Sequence, residues 1–78
     1  MGSEISTRLG ARIRALRKAK GWRLVDLAEH SGVREVHLSY VERGTREVGF
    51  NALVAIAQGL EVSLSELLKG IENGPNGR

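Results

Sequence analysis

Residues 24–43 read Leu24-Val25-Asp26-Leu27-Ala28-Glu29-His30-Ser31-Gly32-Val33-Arg34-Glu35-Val36-His37-Leu38-Ser39-Tyr40-Val41-Glu42-Arg43, and this run decides the fold. Leu24, Leu27 and Ala28 fall at i, i+3 and i+4, which predicts a short helix over about 24–31. Gly32 breaks it. Val33, Leu38 and Val41 form the inner stripe of a next helix over about 34–43, which Gly44 closes. Upstream, Ile5, Leu9, Ile13 and Leu16 share one face of a first helix, ending at Lys18, Lys20 and Gly21. Downstream, a loop over 45–49 leads to a helix with Phe50, Leu53, Val54, Ile56, Ala57 and Leu60. Ser63-Leu64-Ser65-Glu66 has capping-box spacing and opens a fifth helix through Leu67 and Leu68. With proline only at Pro75, the expected fold class is all-α: five short helices in one domain over 1–72. The Gly-, Asn- and Pro-containing tail, 73–78, is expected to be disordered.

At 78 residues and 8.5 kDa the chain has room for one small core. No cysteine staples it, so helix packing must hold it together. No apolar run is long enough for a membrane span, and Met-Gly-Ser-Glu has neither a basic nor an apolar leader region. A cytoplasmic location is the expectation. His30 and His37, seven apart across a helix break, do not make a metal pair. No cofactor is implied. Nor is there a nucleophile, base and orienting group at a workable spacing, so the chain is not expected to be an enzyme.

The net charge of +3 and pI near 10 suggest nucleic acid, but the surplus is unevenly placed. Residues 1–20 carry Arg8, Arg12, Arg14, Arg17, Lys18 and Lys20 against Glu4. Residues 21–48 set Arg23, Arg34, Arg43 and Arg46 against Asp26, Glu29, Glu35, Glu42 and Glu47. The excess belongs to the first helix, where a solvated basic face is expected.

Leu27-Ala28, Gly32, Leu38 and Val41 also have helix-turn-helix spacing: a small residue at the crossing, a glycine turn, two aliphatics pinning the next helix. Around them stand Leu9-Gly10-Ala11-Arg12-Ile13-Arg14-Ala15-Leu16-Arg17-Lys18, Gly21-Trp22, Val41-Glu42-Arg43-Gly44-Thr45-Arg46, Leu53-Val54-Ala55-Ile56-Ala57 and Val62-Ser63-Leu64-Ser65-Glu66-Leu67-Leu68. Over about residues 5–70 the chain resembles the Cro/lambda-repressor-type helix-turn-helix family, and most of all its small stand-alone regulators, such as restriction-modification controllers. The resemblance implies a lambda-repressor-like fold and a dimer whose third helix enters the DNA major groove. It also implies dimerisation through the last two helices, here with Val62, Leu64, Leu67, Leu68 and Ile71.

The groove-facing positions depart from that family. Arg23 and Leu24 stand where Ser or Thr and Gln are usual, and Arg34 where another cap is usual. Glu35, Val36, His37 and Tyr40 replace polar or basic residues, and Glu47 stands where Asn is common. Glu35 can accept from a cytosine amino group but is repelled by phosphate. Because the departures share one surface, the reading preferred from sequence is a protein-binding module. Its interface would hold Leu24, Val36 and Tyr40 as anchors, with Arg23, Val25, Arg34, Glu35 and His37 around them. Such clustering is the mark a deliberately engineered binder would leave. The alternative is a dimeric DNA-binding regulator touching DNA through Arg23, Arg34, Glu35, His37, Ser39, Arg43 and Arg46. Leu24 has two placements open, since it also completes the core stripe with Leu27 and Ala28. Trp22 is expected to plug the core between the first two helices, and His30 and His37 to be ordinary surface histidines.

Overall fold

The computed structural model describes residues 3–72. Five helices follow in order: α1 (Glu4–Ala19), α2 (Leu24–Ser31), α3 (Glu35–Arg43), α4 (Phe50–Leu60) and α5 (Leu64–Leu67). This is the expected all-α architecture of lambda-repressor type. The expectation for 73–78 lies outside the described residues.

Each helix end has a local cause. Ser3 caps α1 by accepting from the Ser6 amide at 3.1 Å. Ser63 does the same for α5 through the Glu66 amide at 3.0 Å, which is the serine half of the capping spacing, while the Glu66 carboxylate turns to Arg12. The arginine caps of α2 and α3 have no acceptor to offer the first-turn amides. At α2 half of the missing exchange is restored, because the Asp26 carboxylate accepts from the Arg23 amide at 2.8 Å. That hydrogen bond holds the Asp26 carboxyl below its ordinary pKa, with the Arg23 side chain and charge adding to it. Between α2 and α3 the chain turns at Gly32, whose φ of 76° lies in the left-handed region.

The core is Leu9 and Ile13 of α1, Leu27 of α2, Leu38 and Val41 of α3, Ile56, Ala57 and Leu60 of α4, Leu67, and Ile71. Trp22 is half-buried against it, in keeping with its predicted place. Two predicted apolar members stay outside: Ile5 is 53% exposed and Phe50 69%. Both lie in the opening turns of their helices, beyond the edge of the packed layer. Backbone approach is also close at two glycines that the spacing argument did not single out for this purpose, as it is at Gly44, where a Cβ would lie 2.7 Å from the Thr7 Cα. A Cβ at Gly10 would strike the carbonyl oxygens of Val41 and Glu42, and one at Gly59 would lie 2.9 Å from Ser31. Gly10 therefore lets α1 lie directly on the end of α3.

Candidate nucleic-acid interface

The third helix is fixed from its inner side. Leu38 is wholly buried and Val41 nearly so, at 2% exposed. Glu42, one residue on, meets Arg17 of α1 in a two-pronged ion pair, with Nε 2.7 Å and Nη2 2.9 Å from the carboxylate oxygens. The same guanidinium donates to the Trp22 carbonyl at 2.7 Å. Both side chains are nearly buried, and the hydrogen bonds to Glu42 raise the Arg17 pKa above its ordinary value. Arg17 is a structural cation tying α1, the 20–23 turn and α3 together.

This corrects the expectation of a solvated arginine face. Arg8 donates to the Ile71 carbonyl at 2.8 Å and pairs with Glu4. Arg12 meets both the carboxylate and the carbonyl of Glu66, at 2.8 and 2.9 Å. Arg8 and Arg12 lie beside the apolar stripe and reach across to Ile71 and Glu66, so with Arg17 three of the four series members are engaged within the fold. Arg14 is exposed.

The outer side of α3 is different in kind. Arg34, Glu35 and Val36 are exposed at its start, His37, Ser39 and Tyr40 are half-buried, and Arg43 and Arg46 are exposed at and beyond its end. The Tyr40 ring lies against both of those arginines, with guanidinium carbons 5.2 Å (Arg43) and 4.6 Å (Arg46) from its centroid. Such contacts order long cationic side chains that would otherwise sample many rotamers. Arg43 also donates from Nε to the Ser39 carbonyl at 3.3 Å. Among the described residues, no carboxylate pairs with Arg34, Arg43 or Arg46. Arg34, Val36, His37, Tyr40 and Arg46 together line a shallow depression.

The α2 members of the predicted surface do not line that depression. Leu24 is half-buried and packs on the core beside Leu27 and Ala28, one of the two placements its spacing allows. Val25 is half-buried; Arg23 is exposed, its Nε 3.5 Å from Asp26. At the first residue of α2, Leu24 leans on the inner stripe and keeps part of its side chain at the surface.

His30 is exposed, as expected of a surface histidine, but it is not free of contacts. Its ring stacks on Trp22 at 4.0 Å between centroids and 20° between planes, and its Nδ1 lies 2.8 Å from the Asp26 carbonyl oxygen.

Of the predicted dimer residues, Leu67 is wholly buried and Ile71 is 9% exposed, while Val62 and Leu64 lean on the core. Leu67 is thereby corrected from surface to core, because α5 is so short that its apolar side must complete the protomer. Leu68, 37% exposed, remains at the surface. It lines an apolar groove with Ile5, Leu9, Val48, Leu53 and Ile71.

A helix-turn-helix family model, HTH_3, matches residues 13–67, well over half of the chain. The chain belongs to this helix-turn-helix family. HTH_3 is a family of transcriptional regulators, and its function is not enzymatic. An uncharacterized HTH-type transcriptional regulator of Mycobacterium bovis is 45% identical over 51 residues, 65% of this chain and 20% of that protein. The chain thus spans about a fifth of the length of that relative. Among solved structures, the restriction-modification controller C.AhdI from Aeromonas hydrophila superposes with a TM-score of 0.77 at 35% identity. The match covers 80% of this chain and 94% of C.AhdI. The controller C.Esp1396I, solved as a tetramer with its natural 35-base-pair operator, gives a TM-score of 0.82 at 28% identity, covering 91% of this chain and 93% of its own. These matches back the regulator reading over the protein-binding one. Among the described residues, no helix is long and apolar enough to cross a membrane.

Proposed function

We infer that this HTH_3 chain binds duplex DNA in a sequence-dependent way, as a transcriptional regulator, with α3 in the major groove. The supporting observation is the asymmetry of α3: its inner side is locked to α1, while its outer side presents Arg34, Arg43 and Arg46 without carboxylate partners among the described residues. Arg43 and Arg46, held against Tyr40, would meet phosphates at the groove edge, and Arg34 would meet them beside the helix start. His37 and Ser39 add donors on the same side, and Arg23 serves the backbone from the start of α2. Residues 1–72 act as one domain in this reading, and the site of action is the cytoplasm, where a bacterial-type regulator meets DNA.

The groove face is altered from the pattern usual in Cro/lambda-repressor-type regulators, with Glu35 and Val36 at the start of α3. The apolar groove of Ile5, Leu53 and Leu68 would pair two copies, setting two α3 helices on successive half-sites. A second reading, an interface for another protein, is supported by the 56% exposure of Val36 next to Tyr40 and His37. Fluorescence anisotropy with a random-sequence duplex separates the two. DNA binding predicts complex formation at about 50 mM salt that collapses by about 200 mM, through counterion release. Traces that stay flat at tens of micromolar protein favour the protein interface.

A further inference from the structure

The outward positions of α3 include Glu35, Val36, Ser39, Tyr40 and Arg43, three and four apart, across from the buried Leu38 and Val41. Among the large hydrophobics that stay exposed, Ile5, Phe50 and Leu68 lie off this helix, and Val36 alone lies on it. It is 56% exposed in a depression whose rim carries Arg34, His37 and Arg46. That rim is complementary to phosphate, so the occupant that fits an apolar centre with a cationic border is the DNA groove itself. On the base edges of a major groove the apolar feature is the C5-methyl group of thymine. 5-Methylcytosine carries the same group.

We propose that Val36 reads a pyrimidine C5-methyl, and that Glu35 beside it accepts a hydrogen bond from a neighbouring exocyclic amino group. The proposal rests on the DNA-binding reading above and gives it a specificity. A carboxylate is repelled by phosphate and by the O6 and N7 acceptors of guanine. In the major groove it has partners only in the amino groups of cytosine and adenine. At the first residue of α3 its charge also suits the free amides of the helix start. The preferred half-site therefore sets a methyl-bearing pyrimidine beside a cytosine or adenine, and disfavours guanine opposite residue 35.

The test begins with duplexes selected from a random pool by the purified chain. The enriched duplex is resynthesised with deoxyuridine for thymidine, one position at a time, which removes the methyl and changes no hydrogen-bonding group. One position per half-site should lose about fourfold in affinity, the equivalent of about 0.8 kcal/mol for one buried methyl. Val36→Ala, with an unchanged far-UV circular dichroism spectrum, should bind the two duplexes alike at that position. A second series with 5-methylcytosine for cytosine distinguishes the sources: a gain at one position, with no loss in the deoxyuridine series, assigns the methyl to modified cytosine. Glu35→Gln should relax the selection against guanine at the adjacent pair. Indifference of every position to both changes overturns the proposal while sequence-dependent DNA binding stands; failure of the pool to enrich overturns the proposal together with that sequence dependence and leaves only salt-dependent binding. Absence of binding even at low salt overturns the proposal together with the reading it rests on, and directs Val36 to a protein partner.

Discussion

The two sides of α3 are made of the same nine residues and obey opposite rules. On the inner side Leu38 and Val41 are buried, Glu42 is held at 2.7 Å by Arg17, and Gly10 lets the α1 backbone sit against the carbonyls of Val41 and Glu42. On the outer side Glu35 and Val36 are exposed, and Tyr40 is engaged with Arg43 and Arg46 of its own surface. The inner side sets where the helix points, and the outer side is left to determine what it recognises. Substitutions on one side should therefore change stability, and on the other recognition.

The largest effect should come from breaking the buried pair. Glu42→Ala leaves a nearly buried guanidinium uncompensated, and urea denaturation should show a loss of about 3 kcal/mol. The double change Arg17→Met, Glu42→Leu removes both charges together and should recover most of that loss. If Glu42→Ala changes stability by under about 0.5 kcal/mol, Arg17 is not the lock described here. Next in size, Gly10→Ala forces α1 and α3 apart and should destabilise by about 2 kcal/mol, measured in the same way.

On the outer side, Arg43→Ala and Arg46→Ala should leave unfolding within about 0.5 kcal/mol of the parent. Each should lower the slope of log affinity against log salt by about one. A large loss of stability from either would erase the distinction between the two sides. The smallest effect concerns pH. The folded Asp26 carboxyl titrates below its unfolded value of about 4, so its contribution is complete above pH 4 and fades as pH falls through the lower folded value. Thermal melts of the parent and Asp26→Asn should differ at pH 6 and converge toward pH 2.

The inner side was largely legible from periodicity. Leu27, Leu38 and Val41 stand at helical spacing, and Gly32 marks the turn between the two helices. Charge alone places Arg17 in solvent, yet it falls four residues after Ile13, on the edge of the apolar stripe. That position was the available signal. Its partner Glu42 is 25 residues away, and no local rule joins them. Leu24 was ambiguous for a related reason, since periodicity offers an inner and an outer placement and only packing chooses. Tyr40 was recognised as a surface residue, but its contact with Arg46 depends on how the chain leaves α3 after Gly44. Long-range contacts of this kind also explain why Leu67 is core, since α5 has a single apolar side and the protomer needs it.

The most direct test of the account is amide chemical-shift mapping while duplex DNA is added to the labelled chain. Shifts should concentrate at 23, 34–37, 39, 40, 43 and 46, with any smaller shifts in the groove of Ile5, Leu53 and Leu68 reporting the pairing of two copies. Shifts confined to that apolar groove, or to the exposed arginine at position 14, would contradict the assignment of the outer side of α3 as the recognition surface.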